Sequence, residues 1–540
     1  MSFNIADLFE HVADAVPDRR VLVVGERRLS YRDLDGRSNR LAHHLDAAGV
    51  RTGDHVGVYA QNCVEWAEAM LAAFKLRAVP INVNFRYVTD ELAYLFDNAD
   101  LVALVHAAEF GPRIDAVRWS LPQLTHLVAI DDGSATPLID GAIAYDDALA
   151  GSSPGRDFEP RSPDDHYVLY TGGTTGMPKG VVWRHEDVFM ALGGGIDAYT
   201  GDKVSTDRDL AAKAVATENP MVTLALPPLM HGAAQWAMLR FWFEGGTVVL
   251  VPRFDPDEVW ATVAREGVNT VMITGDAMGR PLIEALEADP DHHDLSSFFV
   301  LSSSAAVFSP TVKDRYLDLL PNLMIVDSIG SSETGHNGSI IVAKGETAMK
   351  GGGPTVDAGT DAVVLDDDLE LVAPGSGVVG RLARGGNIPI GYYNDEAKTA
   401  ETFVVAADGN RYAIPGDFAQ LEQDGSITLL GRGSVCINSG GEKIFPEEVE
   451  SALKAHPSVF DAVVVGVPDD RWGQRVAAIV QPRPGVGAPS LEELDVHCRN
   501  HVAGYKVPRQ LHLVDEVVRS PSGKPDYPWA AQIAGGERES

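Results

Sequence analysis

The chain has 540 residues, too many for one ordinary hydrophobic core, so it should divide into at least two domains. Hydrophobic residues make up 45% and charged residues 22%, a globular balance, and 44 basic against 77 acidic side chains leave a net charge of −33. That field argues against nucleic acid or an anionic membrane as a partner, and three scattered cysteines (Cys63, Cys436, Cys498) argue against a disulfide framework or a thiolate metal site.

There is no run of 18 apolar residues, so no membrane span is expected. The opening Met-Ser-Phe-Asn-Ile-Ala-Asp lacks the basic-then-apolar order of a signal peptide, which together with the cysteine usage sets the expectation of a cytoplasmic protein. In chain order, Ile5, Leu8, Phe9 and Val12 recur at helical spacing behind Asn4, a good N-cap, and Pro17 closes this helix. Leu34, Ser38, Leu41 and Leu45 mark a second helix ending near Gly49; His55–Ala60 reads as a strand and Glu65–Lys75 as a helix. Such alternation marks an α/β chain with largely parallel sheets.

Gly193–Gly195 and Gly351–Gly353 read as loops, and the weakly patterned Gly201–Pro220 as a surface excursion. Near residue 430 the character changes. Strand-like Ser426–Leu430 runs into Gly431-Arg432-Gly433-Ser434; Pro446 then opens a helix with Glu447 and Glu448 in its first turn, and Val459–Val467 follows as a buried strand. A boundary at this crossing divides the chain into domains 1–432 and 433–540, the second small and mobile. The end, Gly535–Ser540, should fray.

Five blocks carry chemistry. In the first, a strand (His166–Tyr170) enters Thr171-Gly172-Gly173-Thr174-Thr175-Gly176-Met177-Pro178-Lys179-Gly180, and a strand resumes at Gly180. Glycines let backbone N–H groups close around phosphate oxygens, hydroxyls add donors and Lys179 adds charge. A Walker loop would place Gly-Lys-Ser/Thr at a helix start, whereas here Pro178 precedes the lysine and a strand follows. The second is Ser328-Ile329-Gly330-Ser331-Ser332-Glu333-Thr334-Gly335; read alone, it also suits a helix-capping loop with Glu333 in the first turn. The third pairs Pro415-Gly416-Asp417-Phe418 with Gly431-Arg432, although an Asp after a Gly is often only a turn residue. The fourth runs through Ser439-Gly440-Gly441-Glu442-Lys443, where two glycines suggest close approach by a ligand. The fifth is Ser520-Pro521-Ser522-Gly523-Lys524-Pro525, whose lysine taken alone is a solvated surface charge.

Together these blocks resemble the adenylate-forming superfamily of acyl-CoA synthetases, nonribosomal adenylation domains and luciferases, over nearly the whole chain. The resemblance implies a large N-terminal domain of two α/β subdomains plus a β-barrel, a small mobile α+β C-terminal domain, and an active site between the two. It implies a phosphate loop at Thr171–Gly180, an adenine wall at Ser304-Ala305-Ala306, Ser332 on the α-phosphate and Glu333 holding Mg²⁺. Ile329 stands where the family usually has an aromatic residue stacking on adenine, which leaves apolar contact alone to hold the base. Asp417 is implied as acceptor for the ribose hydroxyls, Arg432 as ribose or phosphate ligand, and Ser434 as hinge, where Asp or Lys is commoner. Ser439, Gly440 and Gly441 are implied to line a pantetheine tunnel, and Lys524 to bridge the substrate carboxylate and the α-phosphate. His231 is either a satisfied core histidine or a gate between the acyl and pantetheine channels.

The implied cofactors are ATP, Mg²⁺ and coenzyme A, and the implied partner is a small-molecule carboxylic acid; the oligomeric state is left open. Asn82–Tyr87, Trp183–Asp187, Ile329–Gly335 and Asn387–Tyr393 are similar to actinobacterial CoA ligases acting on fatty acids and steroid side chains. That likeness implies a bulky apolar acid, with a medium- or long-chain fatty acid as the alternative. An adenylation module loading a carrier protein and a nonenzymatic nucleotide-binding relative are the other classes. Gly232, Ala233, Ala234, Gly275, Ala277 and Gly279 either leave room for a wide pocket or serve close helix packing.

Overall fold

Asn4 is extended and its side chain accepts the Ala6 N–H at 3.0 Å, so the first helix, Ile5–Ala15, starts where its cap dictates. The second, Tyr31–Ala47, begins three residues before Leu34, because Ser30 and Asp33 close a reciprocal capping box. These elements belong to a computed structural model that describes residues 3–171, 177–195, 204–342, 349–350, 353–359, 361–439, 442–469, 472–519 and 523–535.

The chain forms two compact units, one of Met1–Met272, Asp291–Phe299 and Asn387–Glu401, the other of Ile273–Pro290, Val300–Gly386 and Thr402–Ser540. The first unit holds a parallel sheet in the order Val79–Asn82, His55–Tyr59, Leu101–Ala107, His126–Ile130, Ala142–Ala144. A second run orders Arg20–Val24, Thr247–Leu250, Val222–Ala225 and Thr270–Ile273 in parallel, with Arg27–Ser30 antiparallel at the edge. His55–Tyr59 is buried along its whole length, as a covered parallel strand must be. A third, antiparallel sheet joins His166–Thr171, Lys179–Arg184 and Gly391–Tyr392.

Part of the expected surface excursion is ordered. Residues 204–220 contain the helix Asp209–Ala216, whose Leu210 and Ala214 are buried and whose Ala214 carbonyl accepts from Arg19 Nη1 at 2.9 Å. Only two side chains of this eight-residue helix are buried, so its apolar pattern in the sequence is weak.

In the second unit Val300–Ser303 runs parallel to Met324–Ser331, which then pairs antiparallel with Gly335–Val342. Gly353–Ala358, Ile427–Arg432, Asp417–Leu421 and Val379–Arg384 continue the antiparallel order. Among the described strands this path stays open. Ala362–Leu365 pairs only with Val379–Arg384, and Phe403–Val405 only with Arg411–Ala413, so the barrel implied by the resemblance is not closed. Beyond Gly433–Val435, a single 3₁₀ turn, the chain builds a separate sheet. Val459–Asp469 and Gly473–Pro482 form its long antiparallel ladder, Gln510–Leu513 joins in parallel, and Pro446–Lys454 packs Val449, Ala452 and Leu453 into its core. The architecture is mixed α/β with a C-terminal α+β portion.

Candidate active site

The strands His166–Thr171 and Lys179–Arg184 are in register such that Thr171 lies opposite Lys179. The two ends of the Gly/Thr loop are therefore clamped as neighbours; Gly172, Gly173, Thr174, Thr175 and Gly176 lie outside the described residues. Lys179 Nζ is ion-paired with Asp395. Gly391 and Tyr392 add to the free edge of Lys179–Arg184 as a short strand, and the Tyr393 N–H donates to the Gly180 carbonyl at 2.7 Å, which delivers Asp395 to the lysine. The Asp395 Oδ1 also accepts the Lys398 N–H at 2.9 Å, starting the helix Glu396–Thr402. Asp395 is a partner that motif reading missed; its only local signal is Asp at a helix start.

In the second unit Ser303 is paired with Asp327 across adjacent parallel strands, so Ser304 leaves the carboxyl end of Val300–Ser303 beside Ser328, which lies inside the longer strand Met324–Ser331. Ligands of open α/β sheets bind beyond such ends. Ser304 donates its N–H to the Ile273 carbonyl at 3.4 Å, and the next residue, Ala305, takes a left-handed φ of 67°. Such an angle in a residue with a side chain is uncommon and marks a constrained backbone.

The second block is a hairpin and not a helix cap. Ser331 pairs with Gly335, leaving Ser332, Glu333 and Thr334 as the turn, while Ser331 Oγ and Thr334 Oγ1 are 3.0 Å apart. A helix start would have needed downstream residues to coil, and these instead enter the strand Gly335–Val342. Glycine is required at 330: a Cβ there would sit 2.3 Å from the Gly335 carbonyl oxygen. Half-buried Glu333 and Ser332 thus stand at the tip of a rigid hairpin. Ile329 is 8% exposed and shares a core with Val356, Val364, Leu382, Ala419 and Ile427.

Asp417 begins a strand and lies opposite Arg432, the last residue of its antiparallel neighbour. The Gly433 N–H then donates to the Gly416 carbonyl at 3.0 Å, holding the two ends together. Of Arg432 and Ser434 only the backbone is described, the latter within the 3₁₀ turn Gly433–Val435. Ser439 ends the strand Ile437–Ser439 opposite Glu442 and Gly473; Gly440 and Gly441 lie outside the described residues. His231 is half-buried at the N-cap of the helix Gly232–Phe243, its N–H bonded to the Pro228 carbonyl at 2.9 Å. Lys524 is half-buried and follows Gly523, where a Cβ would lie 3.0 Å from the Ala277 Cβ.

Of the small residues that could either leave room for a wide pocket or serve close packing, the three glycines serve packing. A Cβ on Gly232 would lie 2.3 Å from Leu169 Cδ2, on Gly275 2.3 Å from the Val307 carbonyl oxygen, and on Gly279 2.7 Å from the Phe308 ring. These glycines let elements approach closely.

The mixed α/β architecture with its C-terminal α+β portion is that of a nucleotide-binding enzyme. The chain belongs to the AMP-binding enzyme family, whose model matches residues 9–393, with the AMP-binding enzyme C-terminal domain matching residues 448–524. It is 55% identical over 533 residues to the medium/long-chain-fatty-acid–CoA/3-oxocholest-4-en-26-oate–CoA ligase of Mycobacterium tuberculosis, covering 98% of this chain and 96% of that one. It is 54% identical to the 3-oxocholest-4-en-26-oate–CoA ligase of Rhodococcus rhodochrous, covering 99% and 96%. Among solved structures, the anthranilate CoA ligase AuaEII in complex with anthranoyl-AMP has the same fold, with a TM-score of 0.84 at 23% identity over 99% of this chain and 98% of that one. Among the described residues no helix is long and apolar enough to cross a membrane.

Proposed function

We propose that the chain is an ATP-dependent acid–CoA ligase acting on a bulky apolar acid, of which a C27 sterol side-chain carboxylate is the leading candidate. The identity of 54–55% along almost the full length to ligases named for 3-oxocholest-4-en-26-oate carries this reading. The M. tuberculosis relative is also named for medium- and long-chain fatty acids, which supports those acids as the second reading.

In the first half-reaction a carboxylate oxygen attacks the α-phosphorus of ATP, and the bond to the bridging oxygen breaks to release pyrophosphate. Carboxylic acids are ionised at neutral pH, so no protein base is needed. Lys179 and the Gly/Thr loop hold phosphates, Ser332 contacts the α-phosphate, Ser304, Ser328, Ile329 and Gly330 border the adenine, and Asp417 with Arg432 holds the ribose. Lys524 places a fixed cation where carboxylate and α-phosphate, both anions, must meet. Among the described residues no three His, Cys, Asp or Glu side chains gather into a metal cage. Glu333 is the carboxylate that would hold Mg²⁺ together with phosphate oxygens, a donor set suited to a hard cation that draws charge off the phosphates. In the second half-reaction the CoA sulfur, its proton given up to solvent, attacks the acyl carbon and AMP leaves. Ser439, Gly440 and Gly441 line the route of the pantetheine, His231 stands at its junction with the acyl channel, and Ser434 is the pivot between domains 1–432 and 433–540. A cytoplasmic setting fits these soluble cosubstrates.

The test is kcat/KM for CoA-thioester formation with 3-oxocholest-4-en-26-oate against palmitate. The sterol acid should win by at least about tenfold, roughly 1.4 kcal/mol of transition-state preference. A better rate with palmitate replaces the steroid reading with the fatty-acid one, and turnover only with an acyl-carrier protein rejects both.

A further inference from the structure

Arg519 lies five residues before Lys524, and every nitrogen of its guanidinium is engaged. Nε reaches Asp461 Oδ2 at 2.6 Å and Nη2 reaches Asp461 Oδ1 at 2.7 Å, a two-pronged fork, while Nη1 donates to the Gly523 carbonyl at 3.0 Å. That carbonyl belongs to the peptide bond leading into Lys524. The backbones of Arg519 and Pro525 meet in an antiparallel bridge, closing the neck of the loop. On the far side Asp526 donates its N–H to the Val518 carbonyl at 3.2 Å and accepts from the Trp529 N–H at 2.9 Å, starting the helix Tyr527–Gly535. Asp461 is itself fixed: it lies on Val459–Asp469, the long ladder strand, and its Oδ1 also accepts the Ala462 N–H at 2.8 Å.

Burial works against the charge of Arg519, yet the hydrogen bonds and charge of Asp461 hold its pKa above the ordinary arginine value. A buried ion pair is a weak source of stability, since apolar residues of the same volume often serve as well; what it supplies is direction. A guanidinium held by a carboxylate fork cannot rotate, whereas a lysine ammonium would.

We propose that Arg519, clamped by Asp461, is a positioning residue for Lys524. It fixes the peptide before Lys524 and so the direction in which that ammonium is presented to the reacting carboxylate and α-phosphate. This rests on the reading of Lys524 given above. All the contacts lie within the C-terminal portion of the chain, so the brace moves with Lys524 wherever that portion goes.

The two half-reactions test it separately: ATP–pyrophosphate exchange with the acid, and thioester formation from supplied acyl-adenylate and CoA. Arg519→Lys keeps the charge and loses the fork; Asp461→Asn keeps the shape and weakens the clamp, and decides the matter should Arg519→Lys fail to fold. Both should lower kcat for exchange by about 10- to 100-fold with ATP KM and the thioester rate held within about twofold, the size expected from misaiming a charge rather than removing a site. Unchanged exchange in the two variants, or equal loss in both half-reactions, overturns the proposal. Lys524→Ala is the control. If it leaves exchange intact, the reading of Lys524 fails; if it abolishes exchange while the brace variants do not change it, the brace alone fails.

Discussion

Lys179 and Asp395, 216 residues apart, form an ion pair across the edge of the sheet that carries the Gly/Thr loop. The hydrogen bond from Lys179 is the main reason the Asp395 carboxyl titrates below its ordinary range, so that carboxylate is charged at neutral pH. On the proposed role of Lys179, the phosphates of ATP must compete with this carboxylate. Asp395→Asn removes the competing charge and keeps an N-cap for the helix that follows. It should lower the ATP KM roughly fivefold at low ionic strength, about 1 kcal/mol for a partly exposed pair. Because salt screens such pairs, the difference should shrink at about 0.5 M salt. An ATP KM that does not move at low salt sinks the competition.

Ser331 and Gly335 close the hairpin that holds Glu333, and the neighbouring Gly330 has no space for a Cβ, which would meet the Gly335 carbonyl. Gly330→Ala must therefore push the two strands apart, at about 1–3 kcal/mol by the usual cost of overpacking. Displacing Glu333 should then raise the Mg²⁺ concentration needed for half-maximal adenylation. Thermal unfolding and an Mg²⁺ titration read the two effects independently. A variant with lowered stability and an unchanged Mg²⁺ midpoint would show that Glu333 does not hold the cation.

What could be read from the sequence was local. Asn4 before a helical repeat, and a strand either side of the Gly/Thr loop, are patterns within a dozen residues, and each stands as an element at that place. The pair Lys179–Asp395 was not legible, because it arises only when Gly391–Tyr392 adds to a strand formed two hundred residues earlier. The Ser-Ser-Glu turn was ambiguous for a different reason. Ser and Glu at that spacing satisfy a helix cap and a hairpin tip alike, and only the pairing of Ser331 with Gly335 decides. The glycines at 232, 275 and 279 carry no sign in the sequence of whether the space beside them is empty or filled.

His185 is fully buried, accepts the Ile5 N–H on Nδ1 at 3.3 Å and sits edge-on to Phe74. Burial lowers its pKa to about 4. The unfolded chain, with an ordinary histidine near 6.5, takes up the proton first as pH falls, so stability is lost between about 6.5 and 4. By pH 4 the loss from this residue is about 3 kcal/mol. His126, whose Nε2 lies 2.9 Å from His44 Nε2, is lowered to about 4 by burial and acts in the same direction. His185→Asn retains an acceptor for Ile5 and removes the titration. Denaturant unfolding from pH 7 to 4 should give a shallower decline in the variant, and an identical slope would show that His185 protonates as readily folded as unfolded.

Gly232 begins the helix Gly232–Phe243 directly against Leu169 of the strand that leads into the Gly/Thr loop. If that glycine served a wide acyl pocket, enlarging it would penalise a four-ring acid more than a straight chain. The contact predicts otherwise. Gly232→Ala puts a methyl where Leu169 Cδ2 already sits, so the cost falls on packing, about 1–3 kcal/mol, whatever the substrate. Leu169→Val withdraws the clashing carbon. The double variant should therefore be more stable than the sum of the single changes implies, by a coupling of about 0.5–3 kcal/mol between residues in contact. Chemical denaturation of the four chains measures that coupling. The ratio of kcat/KM for 3-oxocholest-4-en-26-oate and palmitate should stay within about twofold in Gly232→Ala, as expected for a change that touches neither acid. A selective loss of the sterol acid, with no coupling to Leu169, would return Gly232 to the pocket wall.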